Sequence, residues 1–276
     1  MSAVVGRVTG VGAMFSSFVR RDLIAALSYR LPFVLDLFSS VVQLLMFFFI
    51  GEIVDQGELA GGLGTSSGYF PFVVIGLALT RIIDTALRSF STKLRTEQTT
   101  GTFEALIATP APLATLVLGS AAYNLLYGLL SGGVTLAIAA VFGVRFEVSL
   151  ISAVGAVLGL AASMAFFAAI GVAVAAFIVV YKQGQGVIGM ATSVLGLLGG
   201  AFFPVEVLPG AAQVLARANP LTWSLEVMRA ALLDGRVLWA ELATLSCAAG
   251  VLLPGALWLL RVAVDRARRE GTLAQY

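Results

Sequence analysis

Read for its hydrophobic pattern, the chain is a series of long apolar runs separated by short polar segments. Six runs reach roughly the 20 residues that a helix needs to cross a hydrocarbon core about 30 Å thick. They lie at 32–51, 69–91, 113–142, 149–180, 185–203 and 239–260. The third and fourth are long enough to tilt or to project beyond the lipid. Ahead of the first run, Met14, Phe15, Phe18, Val19, Leu23 and Leu27 share one side of a helix, and Ser17, Arg21 and Ser28 the other. That is the pattern of an amphipathic helix lying along a membrane interface. It is not a secretory signal, because Arg20, Arg21 and Asp22 interrupt its short apolar stretch before any small-residue cleavage site. The longest segments between runs are 1–31, 92–112 and 204–238, too short for a separate soluble domain. The pattern predicts an all-α integral membrane protein forming a single domain over 1–276. An interface helix occupies 1–31, six spans occupy 32–260, and a cytosolic tail follows at 261–276.

Composition sharpens this picture. The chain is 59% hydrophobic and 12% charged, with a mean hydropathy of +0.98; a soluble domain is about 45–50% apolar and about 25% charged. Lipid is therefore its main solvent. The positive-inside rule orients the spans. With both termini in the cytoplasm, 12 of the 17 Lys and Arg residues face inward and four face outward, with Arg81 inside a span. The first outer segment, 52–68, carries Glu52, Asp55 and Glu58 and no base. The expected location is the cell inner (cytoplasmic) membrane.

Chemistry is sparse. The chain has no His and one Cys, Cys247, which rules out an imidazole base, a His metal ligand, an internal disulfide and a multi-thiolate zinc site. Acidic and basic residues nearly cancel, so nothing indicates nucleic acid. No catalytic residue, bound metal or bound cofactor is expected. Gly128/Gly132, Gly155/Gly159 and Gly196/Gly200 have the G-x-x-x-G spacing that lets helices approach closely, and packing within the chain is the favoured reading over a dimer seam.

Ionisable groups at membrane depth are costly and are functional candidates by default. Arg81, Asp84 and Arg88 are spaced i, i+3, i+7 and predict a basic-acidic-basic ladder on one face of the second span. Either they line a transport path, or they neutralise one another while Arg88 reaches the inner surface. Asp36 lies about one turn into the first span, where it can pair with a neighbouring helix or reach the interface. Gln43 is a path candidate, with interhelical hydrogen bonding the plainer role. Phe47, Phe48 and Phe49 end the first span, and Phe202, Phe203 and Pro204 end the fifth. Phe49, Phe202, Phe203 and Pro204 are candidates for an apolar outer gate; packing or lipid contact is the alternative for each ring.

The inner segment STKLRTEQTTGTFEALIATPAP (91–112) breaks at Gly101 and can form about two helical turns before Pro110 and Pro112. It exposes Glu97 and Glu104 as a docking surface. Glu97, Gly101, Thr102, Glu104, Leu106, Thr109 and Pro110 form E-x-x-x-G-T-x-E-x-L-x-x-T-P, which resembles the coupling-helix region of type 2 ATP-binding-cassette (ABC) exporter permeases. In 200–235, Phe203-Pro204, Leu208-Pro209, Asn219-Pro220-Leu221 and Arg229 resemble that family's re-entrant helix pair before the last span. FVRRDLIAALSYRLPF (18–33) resembles its interface helix.

The resemblance implies a membrane-spanning permease subunit that alternates access for an amphipathic drug, lipid or lipid-linked glycan. It implies a homodimer, or a heterodimer of related chains, docked on two nucleotide-binding ATPase subunits that hold the ATP and Mg. Glu97, Gly101, Thr102, Phe103 and Glu104 would couple the permease to that ATPase. A P-loop needs G-x-x-x-x-G-K-[ST], and Lys93 and Lys182, the only lysines, fit no such motif. Leu130-Ser131-Gly132-Gly133-Val134 looks like the signature loop of the ATPases, but it lies within an apolar run and is coincidental. The other classes compatible with the residues are an ion-coupled secondary transporter and a non-transporting assembly or anchor protein.

Overall fold

The computed structural model describes residues 30–55, 68–99, 113–181 and 185–269. Among these are eight α-helices, a short 3-10 turn at Val205–Val207 and no strand. The helices are α1 (Arg30–Asp55), α2 (Tyr69–Thr99), α3 (Leu113–Val141), α4 (Leu150–Tyr181), α5 (Gln185–Leu198), α6 (Gly210–Arg217), α7 (Pro220–Leu232) and α8 (Trp239–Arg269). In lipid a backbone must satisfy its own polar groups, which long apolar helices do. Five are long and apolar enough to cross a membrane: α1, α2, α3, α4 and α8.

The run at 185–203 differs from its prediction as a full span. It contains the 14-residue α5, which at 1.5 Å per residue extends about 21 Å. Gly200, at φ +75°, takes the left-handed conformation that ends a helix, and irregular backbone continues to Pro204. Hydropathy summed a helix and the turn after it into one run. Most of the predicted interface helix, the outer residues 56–67 and the segment 101–112 lie outside the described residues.

The centre of the bundle is α2 and α4. About 72% of α2's apolar stretch and 67% of α4's is buried, against 22% for α1, 22% for α3 and 28% for α8. The longest packing seams join α8 to α4 and α3 to α2. Toward the end bearing α7, the core is built from Ile75, Leu79, Phe167, Leu225 and Leu245. Toward the opposite end it is built from Phe90, Val172, Leu260 and Val264. A third cluster joins Leu44 and Phe47 of α1 to Phe70, Phe72 and Val73 of α2. Two of the three G-x-x-x-G pairs serve this packing: Gly128 and Gly132 meet Thr85 and Ile82, and Gly155 and Gly159 meet Val237 and Val227.

Local chemistry also sets α7. Asn219 caps its start by accepting from the Leu221 N–H at 3.0 Å, with Pro220 in the first turn. The same side chain donates to the Leu195 carbonyl at 2.9 Å, satisfying the end of α5. The Thr222 hydroxyl donates to the Ala216 carbonyl at 2.7 Å, and Trp223 Nε1 donates to the Arg217 carbonyl at 2.9 Å. These bonds fold α5, α6 and α7 into a connected cap.

Candidate functional site

Arg81, on α2, is the hub of a polar network spanning α1, α2 and α3. Its Nη1 lies 3.3 Å from Asp36 Oδ1 and 3.4 Å from the Ser131 hydroxyl. Its Nη2 donates to Gln43 Oε1 at 3.4 Å. The second carboxylate oxygen of Asp36 accepts from the Tyr127 hydroxyl at 3.0 Å and the Ser131 hydroxyl at 3.3 Å. Ser131 thus accepts from the guanidinium and donates to the carboxylate. The Arg81 and Asp36 side chains are 21% and 38% exposed, so the network is only partly enclosed. It is charge-balanced, and such a pair holds helices in register only while both partners stay. Among the described residues, no group of His, Cys, Asp and Glu has the geometry of a metal site.

The expected ladder is split. Arg81 takes its carboxylate from α1, and Asp84 turns along α2 to Arg88, with Arg88 Nε 2.7 Å from Asp84 Oδ1. The i, i+3 spacing permits an Arg81–Asp84 pair, but an i, i+4 carboxylate-arginine pair suits helix geometry equally. A neighbouring helix supplied Arg81 with a better partner. Tyr127 and Ser131 were not among the expected path residues, although their i, i+4 spacing puts them on one face of α3 beside Gly128 and Gly132, which meet α2.

An aromatic layer lies toward the α7 end. Phe47 stacks on Phe202 with ring centroids 5.8 Å apart and 15° between planes. Phe48 packs edge-on against Phe70 at 5.3 Å and also meets Phe142 at 5.6 Å. Of the candidate gate residues, Phe202 faces α1, Pro204 is buried and Phe203 is half-buried, while Phe49 points outward at 62% exposed. The ring opposite Phe202 is therefore Phe47, not Phe49.

Arg229, near the end of α7, is half-buried, with its guanidinium turned into the protein. Its guanidinium sits 3.4 Å from the centroid of the Phe72 ring. Nη2 donates to the Gly200, Phe72 and Ala201 carbonyls at 2.9, 3.2 and 3.3 Å, and Nε donates to the Phe72 carbonyl at 3.3 Å. Burial pushes its pKa down, opposed by Glu226 and Glu206; a guanidinium nevertheless keeps its proton, and the carbonyls offset its lost hydration. Glu226, a turn earlier, is pushed up, first by burial and then by Glu241 and Glu206, against the pull of Arg229.

The family model for the ABC-2 type transporter matches residues 14–233. The chain belongs to the ABC-2 type transporter family. It is a multi-pass membrane permease, the non-catalytic membrane subunit of an ABC transporter, and works with an ATP-binding subunit. No curated protein matches the sequence. The matched region includes every residue of the network, the aromatic layer and Arg229, and it ends one residue after α7.

Of the permease's coupling candidates, Glu97 alone falls among the described residues. Glu97 lies within α2, whose helix continues past the expected end of the span to Thr99. Gly101, Thr102, Phe103 and Glu104 lie outside the described residues.

Proposed function

We propose that this permease is the membrane-spanning subunit of an ATP-driven exporter of amphipathic substrates such as drugs, lipids or lipid-linked glycans. The carrying observation is the ABC-2 match across most of the chain. In this reading α5 and the turn after it complete a sixth crossing, and the interface helix precedes α1. The Lys and Arg distribution supports cytosolic termini in an inner membrane, with the α7 end outermost. Two copies enclose the path and dock on two ATPase subunits, which bind the ATP and Mg. The segment 97–108 acts as the coupling helix, with Glu97, Gly101, Thr102, Phe103 and Glu104 at the contact. Closure of the ATPase pushes this segment, α2 and α3 carry the push, and the path opens alternately inward and outward.

The path candidates are Gln43, Arg81, Asp84 and Arg88, and the outer gate is the layer containing Phe47 and Phe202. An apolar route with two balanced ion pairs favours an amphiphile over an ion or a free sugar, because bare charge has little compensation there.

Purification from native membranes tests this reading. The expected result is a stoichiometric ATPase whose turnover responds to a candidate amphiphile. Glu104→Lys, which reverses charge at the docking surface, is expected to leave membrane insertion intact and to uncouple transport from hydrolysis. Unchanged transport and unchanged association with the ATPase would sink the coupling assignment. Substrate movement on a pH gradient without an ATPase would make the protein a secondary carrier, and partner binding without transport an anchor.

A further inference from the structure

We infer that Arg229 is the positioning residue of the outer gate: it fastens the turn carrying Phe202 to the outer end of α2, so that the turn travels with α2 and parts from α1. The inference rests on the export reading above and adds to it which pieces move together.

Two separate features tie the turn to α2. The guanidinium lies on the Phe72 ring and donates at once to the Phe72 carbonyl of α2 and to the Gly200 and Ala201 carbonyls of the turn. The planar fork of arginine suits such divided donation, with little freedom left to lose. One helical turn along α2, Gly76 brings the helix backbone against Ala201, where even a methyl group would overlap the Ala201 carbonyl. The turn's contact with α1 has a different character. It is the ring stack of Phe47 on Phe202, apolar and without directional bonds, so it can part and re-form at small cost. α1 is also far less enclosed than α2.

Helix α2 completes the connection. It runs unbroken from Tyr69 to Thr99, and its proline, Pro71, lies in the first turn, where it breaks no helical bond. A displacement at the Thr99 end, beside the proposed coupling segment, reaches Phe72 without an intervening hinge. Arg229 passes it to the turn, and the Phe47–Phe202 contact is the seam that opens.

The test uses the permease together with its ATPase in sealed vesicles, in a Cys247→Ala background carrying Phe203→Cys on the same turn. A membrane-impermeant maleimide reports access to the introduced thiol. The labelling rate is expected to differ at least fivefold between the nucleotide-free and ATP-vanadate-trapped complexes. Arg229→Met should reduce that difference below twofold and cut transport at least tenfold while ATP hydrolysis continues; Arg229→Lys should restore part of the difference. A folded Arg229→Met protein that keeps both state-dependent labelling and transport overturns the inference. If Arg229→Met fails to accumulate, Arg229→Lys and Phe72→Leu carry the test, and full state dependence in both overturns it equally. Labelling that ignores nucleotide with Arg229 intact overturns the export reading and the inference together, whereas a defect confined to the clamp variants supports it.

Discussion

Asp36→Ala removes the carboxylate facing Arg81 and is expected to cost far more than Asp84→Ala. Deleting one member of a fully buried pair costs about 3–5 kcal/mol because the other charge is stranded. Here the side chains are 21% and 38% exposed and the contact is 3.3 Å, so the figure falls to about 2 kcal/mol once screening at partly open sites is allowed for. The Tyr127 and Ser131 hydroxyls lose their acceptor at the same time. The Asp84–Arg88 pair is shorter, at 2.7 Å, but its side chains are 34% and 46% exposed within one helix, which limits it to about 0.3–0.5 kcal/mol. Thermal unfolding in nanodiscs should show a drop on the order of 5 °C for Asp36→Ala and about 1 °C for Asp84→Ala. Asp36→Leu combined with Arg81→Leu should recover most of the loss, since replacing both charges with apolar groups is close to neutral. Equal losses at Asp36 and Asp84, or no recovery in the double variant, would refute the assignment of Arg81's partner.

Three further outcomes are expected. Gly76→Ala should lower stability by about 2 kcal/mol or more, the middle to upper part of the range for overpacking against an unyielding neighbour, whereas Gly133→Ala, which meets open space, should be neutral or slightly stabilising; parallel melting curves compare them. Asn219→Ala should cost about 1–2 kcal/mol for the lost cap and the bond to Leu195, and should raise proteolysis in the loop between α5 and α6. Because the folded protein raises the pKa of Glu226, its carboxyl holds its proton more tightly folded than unfolded. Stability should therefore fall as pH rises from the ordinary glutamate range through the raised value; Glu226→Gln should flatten that part of the melting profile, and an unchanged slope would contradict the assignment.

Much of this was legible in the sequence because lipid imposes a severe rule: a crossing segment must be apolar and must satisfy its own backbone. That rule located α1 to α4 and α8 to within a few residues at most ends. It was less exact at 185–203, where the helix ends at Leu198, since hydropathy adds residues without registering that Gly200 turns the chain. Pairing was less legible than position. Arg81 stood out as an intramembrane charge, but its choice of Asp36 over Asp84 depends on how α1 is rotated against α2, which spacing along one helix cannot reveal. Arg229 was the hardest to read, because its partners at Phe72, Gly200 and Ala201 are mainly backbone carbonyls, and these leave no mark in the residue pattern. Phe47 and Phe49 differ by two positions on a helix, about 200° around its axis, so only the packing separates the ring facing Phe202 from the ring facing out.

The length of α2 has a consequence beyond the wiring of the gate. Its apolar stretch, Tyr69–Thr92, is 24 residues and measures about 36 Å, somewhat longer than a hydrocarbon slab of about 30 Å, and the helix continues through polar residues to Thr99. A thicker bilayer immerses more of it and stands it upright; a thinner one lets it lean. Either change shifts the height of the Thr99 end above the membrane, where the ATPase would have to meet it. If the ATPase docks there, as proposed above, the thickness of the surrounding lipid would help set the height at which the two meet.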